Sequence, residues 1–170
     1  QTKALEAYRS KLANILKSEV LENNRMIDDV LDLWIDLLKN ESPRGIRVAA
    51  IMGRSGTGKS ELATQLAVRA LGSKERMFVI DANEYKDAND IKLSILFGVP
   101  GGVSFGQVTS GTLMEWLDDP SKGKHAGIIV INEADKANAL FWIRFMEFFD
   151  TGRLQGGDNK IRTAHKHMVI

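Results

Sequence analysis

The feature that most constrains this chain is an eight-residue run, Gly53-Arg54-Ser55-Gly56-Thr57-Gly58-Lys59-Ser60, set between an apolar segment and a helical one. It matches G-x-x-x-x-G-K-[ST] in full, and both flanks are those the motif requires, a strand before it and a helix opening from it. The glycines let backbone wrap closely around phosphate, while the loop amides and the positive end of the helix attract anionic oxygen. Lys59 reaches the β- and γ-phosphates, and the Ser60 hydroxyl is placed for Mg²⁺. Gly53, Ser55, Gly56, Thr57, Gly58, Lys59 and Ser60 are therefore read as a nucleotide-phosphate site.

A strand, a glycine loop and a helix in that order imply an α/β fold, and the rest of the chain agrees. Short apolar runs at Ile46 to Met52, Met77 to Ile80, Gly127 to Ile131 and His167 to Ile170 read as buried parallel strands. Helical stretches lie between them at Ser60 to Leu71, Asp87 to Phe97, Thr112 to Leu117 and Ala137 to Phe149. This alternation predicts a three-layer core around a parallel sheet with right-handed crossovers.

Ahead of that core, Leu5, Tyr8, Leu12, Ile15 and Leu16 recur at helical steps, and so do Met26, Ile27, Val30, Leu31, Trp34, Leu37 and Leu38. Asn24 is the expected N-cap of the second helix, and Asn40-Glu41-Ser42-Pro43 its stop. The expected division is a helical segment over 1–44 and the core over 45–170.

Composition narrows the partners. The 23 Lys and Arg nearly balance the 22 Asp and Glu, and a net charge of +1 gives no electrostatic case for nucleic acid or an anionic membrane. No apolar run approaches the roughly 20 residues that cross a bilayer. With no cysteine there is no disulfide frame, which fits a reducing, cytoplasmic setting. The chain begins with Gln1 rather than Met, so a targeting segment can have been lost from its start.

The second chemical element is Gly127 to Glu133, a buried strand ending in polar residues at its carboxyl end, where open α/β sheets bind ligands. P-loop ATPases normally carry Asp at the first polar position, supporting the Mg²⁺ hydration shell, and an acid next to it to activate water. Here the first is Asn132, whose amide oxygen accepts a hydrogen bond from a metal-bound water without the added strength of charge. Glu133 remains the candidate catalytic base. The same pair also serves as a helix cap and first-turn charge.

Taken together these residues resemble the AAA+ ATPases of the Clp type, the ATPase domain of protein unfoldases and disaggregases, over roughly Lys11 to Ile170. The resemblance includes Ile80-Asp81-Ala82-Asn83-Glu84-Tyr85, Gly98-Val99-Pro100-Gly101-Gly102, Asn132-Glu133-Ala134-Asp135-Lys136-Ala137 and Phe149-Asp150-Thr151-Gly152-Arg153-Leu154. It implies ATP or ADP and Mg²⁺ as cofactors, a polypeptide substrate, and a hexameric homo-oligomer ring. It also implies that Val20 and Leu21 contact adenine, although both equally suit helix-end core packing. The loop from Gly101 to Gly106 corresponds to the family's substrate-gripping pore loop, with Val103 or Phe105 in place of the expected aromatic.

The resembled family continues past its fourth strand, which lies in the middle of the sheet, into a sensor, an arginine finger and a lid, so the chain is expected to be an incomplete core that leaves a parallel edge needing cover. Arg153 and Arg162 are candidates for contacts between subunits, with surface ion pairing as the alternative. The aromatic run Phe141, Trp142, Phe145, Phe148 and Phe149 is read as core or subunit interface. His125, His165 and His167 lack the spacing of a zinc site. The alternative to an ATP-hydrolysing remodelling machine is a nucleotide-binding scaffold or switch with little turnover, which Asn132 would favour.

Overall fold

The computed structural model describes residues 2–20, 24–39, 46–51, 58–87, 89–99, 108–164 and 166–170. Two helices lead, α1 (Thr2–Glu19) and α2 (Asn24–Lys39). Met26, Ile27, Val30, Leu31, Trp34, Ile35 and Leu37 of α2 are buried at three- and four-residue steps, so one face of the helix is removed from water. Asn24 is the first residue of α2 rather than the residue before it.

The core alternates as its apolar runs predict: β1 (Ile46–Val48), α3 (Lys59–Leu71), β2 (Met77–Asp81), α4 (Asp90–Phe97), α5 (Thr112–Asp118), β3 (Gly127–Asn132) and α6 (Ala139–Thr151). A hairpin of β4 (Arg153–Gln155) and β5 (Ile161–Thr163) follows, then β6 (His167–Val169). The main sheet has the order β1-β6-β3-β2 and every pairing in it is parallel.

β3 shows why the sheet is buried on both sides. Ile128 and Val130 pack into the layer of α1, α2 and α3, whereas Ile129 and Ile131 face Phe97, Phe141 and Phe145 on the other side. Phe141, Phe145 and Phe148 are fully buried, and each contributes about 1.5–3 kcal/mol by leaving water. The aromatic run of α6 is thus core, with Phe141 4.9 Å from Phe145 and Phe97 5.3 Å from Phe145 between ring centres.

Three sequence expectations change. β1 leaves its ladder at Val48 instead of running to Met52, because its partner β6 pairs over only three residues; Ala49 N–H makes one further bond to Val169 O at 2.8 Å. α4 begins at Asp90, where Asn89 caps it by accepting from Lys92 N–H at 2.9 Å. α6 starts later, capped by Asn138, which accepts from Phe141 N–H at 3.2 Å. The last strand, β6, lies in the middle of the sheet, as the resemblance implies for a fourth strand, between β1 and β3, and the parallel edges among the described residues are β1 and β2. α2 covers part of the β1 edge, where Arg47 Nε donates to Asp36 Oδ2 at 2.7 Å.

Candidate functional site

All four strands of the main sheet run the same way, so their carboxyl ends share one edge. The chain leaves β1 at that edge and enters α3, whose first residues are Lys59 and Ser60. Gly58 sits just before them in the left-handed region (φ 77°), which a side chain rarely tolerates, and its carbonyl accepts from Leu62 N–H at 2.8 Å to close the first turn. α3 therefore begins just after the carboxyl edge of the sheet, and the positive end of a helix favours anions. Lys59 is half-buried and Ser60 exposed. Leu62, Ala63, Leu66 and Ala67 are buried, and the two alanines bring the helix close to the sheet.

At the same edge β2 ends in Asp81 and β3 in Asn132, and the two are register partners. Met77 and Val130 lie on the α3 side of the sheet, and alternation along the strands carries Asp81 and Asn132 to that side as well. Asp81 Oδ1 accepts from Asn83 N–H at 3.0 Å and caps a single helical turn over Ala82–Tyr85. A similar turn, Ala134–Lys136, follows β3. The two turns pack together, Asn138 N–H donating to Tyr85 O at 3.3 Å. The Tyr85 ring lies 5.2 Å from that of Phe141, tilted by 37°; burial, with Glu84 beside it, raises its phenol above the usual range.

Glu133 occupies the left-handed region, φ 52° and ψ 43°, without being glycine. Such a conformation costs about 1–3 kcal/mol and is held only where its surroundings fix it. Here Glu133 O accepts from Lys136 N–H at 2.8 Å, and the carboxylate projects into solvent at the edge rather than packing down.

The donors at this edge are oxygens: the Ser60 hydroxyl, the Asn132 amide, and the Asp81 and Glu133 carboxylates. That chemistry suits a hard divalent cation. No group of three or more His, Cys, Asp or Glu forms a metal cage among the described residues.

A cleft of about 380 Å³ opens beside the same edge. Arg25, Met26, Asp29, Val30 and Leu33 of α2 form one wall, polar as well as apolar, and Val48 to Ile51, on the way to the glycine loop, form the other. Val20 does not line it; it is 2% exposed, within the cluster of Leu16, Ile27 and Leu31. Leu21, Gly53, Ser55, Gly56, Thr57, Val103 and Phe105 lie outside the described residues.

Arg162 is not displayed for a neighbour. Its side chain is 7% exposed and clasped by two carboxylates, Asp118 Oδ2 at 2.6 Å and Asp158 Oδ1 at 2.6 Å. Arg153 is exposed. His167 is buried, its Nε2 donating to Gly123 O at 2.6 Å, and serves the core. Sequence reading passed over Asp81 as a site residue, since only strand pairing brings it beside Asn132.

The family model described as AAA domain (Cdc48 subfamily) matches residues 44–170. The ATP-dependent Clp protease ATP-binding subunit ClpL of Staphylococcus aureus (strain bovine RF122 / ET3-1) is 30% identical over 131 residues, 77% of this chain and 18% of that protein. ClpL of strain MRSA252 is 29% identical over the same shares. The S. cerevisiae Hsp104–ADP complex superposes with a TM-score of 0.72 and 22% identity, covering 95% of this chain and 23% of that one. A closed-state reconstruction of Hsp104 with ATPγS and FITC casein gives 0.75 and 22%, covering 97% and 28%. The chain thus spans only a small part of the length of the relatives it matches.

Proposed function

The chain belongs to the AAA domain (Cdc48 subfamily) family as a Clp-type AAA+ ATPase domain, and on that premise we propose that it binds ATP with Mg²⁺ and hydrolyses it to remodel protein substrates within a ring of like subunits. The observation that carries this reading is the meeting of two elements at one sheet edge: the N-terminus of α3 with Lys59 and Ser60, and the paired strand ends Asp81 and Asn132 with Glu133 following.

In this reading residues 53–60 hold the phosphates, the cleft between α2 and the end of β1 receives the base, and Val20 and Leu21 support that region. Mg²⁺ supplies charge neutralisation on the phosphates, with Ser60 as ligand and Asn132 on its water. Glu133 takes the proton of the attacking water, and its exposed position at the edge suits that role. Val103 and Phe105 are proposed to contact the polypeptide. The domain division proposed is 1–44 for the leading helices and 45–170 for the nucleotide-binding core, in a cytoplasmic protein.

The test is phosphate release with and without Mg²⁺ for the chain and for Glu133→Gln. Loss of turnover with retained ATP binding is the expected result; equal turnover in the two removes Glu133 from the chemistry. One observation favours a second reading. Asn132 lacks the charge of a carboxylate, so a nucleotide-binding switch with little hydrolysis is the alternative, and ATP binding without phosphate release selects it.

A further inference from the structure

The turn between β4 and β5 lies against the root of the 98–109 loop. Gly157 N–H donates to Phe97 O, the last residue of α4, at 2.7 Å. A Cβ at position 157 would overlap the carbonyl carbon of Gly98 and the amide nitrogen of Val99, so backbone meets backbone with no side chain between. The loop's two roots are joined at that point: Val99 N–H donates to Thr109 O and to Thr109 Oγ1, both at 3.1 Å.

The turn is itself held firmly. Asp158 accepts from Arg162 through both oxygens, at 2.6 and 2.7 Å, and also from Lys160 N–H at 3.1 Å. Arg162 in turn grips Asp118 of α5 at 2.6 Å. β4 starts directly after Gly152, whose N–H bonds Phe148 O and closes α6. α6 therefore ends in the strand whose turn touches the loop root, and begins six residues after Glu133.

We propose that the 156–160 turn is a positioning element for the 98–109 loop: Gly157 ties the loop's roots to α6, and the Arg162 cluster fixes the turn that does so. Movement of α6 relative to α4 is then passed to the loop's points of departure. This inference rests on the reading that the loop meets polypeptide. Gly157 packs on Gly98 and Val99 and lies on no element of the proposed nucleotide site, so its effect is selective. It alters polypeptide affinity and leaves nucleotide affinity alone.

The test compares the chain with Gly157→Ala, measuring amide hydrogen exchange at Gly98 and Val99, binding of fluorescein-labelled casein in the presence of ATPγS, and ATPγS affinity itself. Loss of the Gly157 bond is expected to speed exchange at both root amides about tenfold and to weaken casein about tenfold, with ATPγS affinity unchanged. Unaltered exchange at the roots overturns the proposal, as does casein binding equal to that of the parent chain. If the parent chain binds no casein at all, the polypeptide reading falls and the role of the turn falls with it, a result distinct from equal binding by both. Asp158→Asn keeps the backbone approach and loosens only the Arg162 clasp, so it serves if Gly157→Ala does not fold. A smaller change in the same direction is expected of it, and no change in either exchange or casein affinity overturns the proposal.

Discussion

Asp81 and Asn132 are the final register pair of two adjacent parallel strands, so an acid and an amide stand side by side at the carboxyl edge of the sheet. A carboxylate at position 132 would bind a metal-held water more strongly than the amide does, since charged hydrogen bonds are about twice as strong as neutral ones. It would also lie about 5 Å from the Asp81 backbone, one strand spacing away. Asn132→Asp is therefore expected to raise Mg²⁺-dependent ATP turnover about tenfold, and to lower stability without metal by about 1 kcal/mol through repulsion across that gap. Phosphate release and urea unfolding with and without Mg²⁺ check both halves. Turnover unchanged by the substitution would mean that the charge at 132 does not limit the reaction.

Glu133 separates stability from activity. Its left-handed backbone is strained for any residue with a Cβ, and glycine adopts it freely. Glu133→Gly is expected to stabilise the fold by up to about 1 kcal/mol, raising the melting temperature by about 2–4 °C, while turnover is lost. Glu133→Gln keeps the strain and loses turnover without the gain. Thermal unfolding of the two variants side by side gives the comparison, and a lower melting temperature for the glycine variant would contradict it.

Much of this arrangement is legible in the order of residues. The unbroken apolar run of β3 and the helical spacing of α2 mark buried elements, and the polar pair after Ile131 marks a strand end. Pairing is not legible. Nothing local in His167 to Val169 says that β6 inserts between β1 and β3, and nothing in Asp81 says that it borders Asn132. The β4–β5 hairpin escapes a search for apolar runs because Leu154 and Arg162 are the inward-facing residues of its three-residue strands. Arg162 reads as a surface charge because the partner that helps bury it, Asp118, is 44 residues away.

That ion cluster carries a pH signature. The hydrogen bonds from Arg162 hold the Asp158 carboxyl down at about 2, below the value near 3.9 of an unfolded chain. A depressed carboxyl stabilises the fold above the unfolded value, and the contribution is lost as pH falls from about 4 through about 2. Arg162→Ala removes the cause and leaves two carboxylates facing each other, so it is expected to cost about 2–4 kcal/mol at pH 7. The gap between parent and variant in urea unfolding should then narrow steadily below pH 4. A gap that stays constant down to pH 2 would place the loss in packing instead of charge.

The cleft beside the glycine loop makes the last prediction. Its walls are mixed, with Arg25 and Asp29 beside the apolar Val30, Leu33, Val48 and Ile51, so a flat base has apolar side chains to rest on and polar groups at its rim while the phosphates lie at the loop. Ala50 is exposed on the cleft wall, so a larger side chain there narrows the cleft without displacing the core. Ala50→Phe is expected to weaken ATP about tenfold, the loss of one good apolar contact surface. Inorganic tripolyphosphate has no base and should bind parent and variant alike. Titration of both ligands against both proteins separates the two halves of the site: if tripolyphosphate weakens as much as ATP, the substitution has disturbed the phosphate loop, and the base does not occupy this cleft.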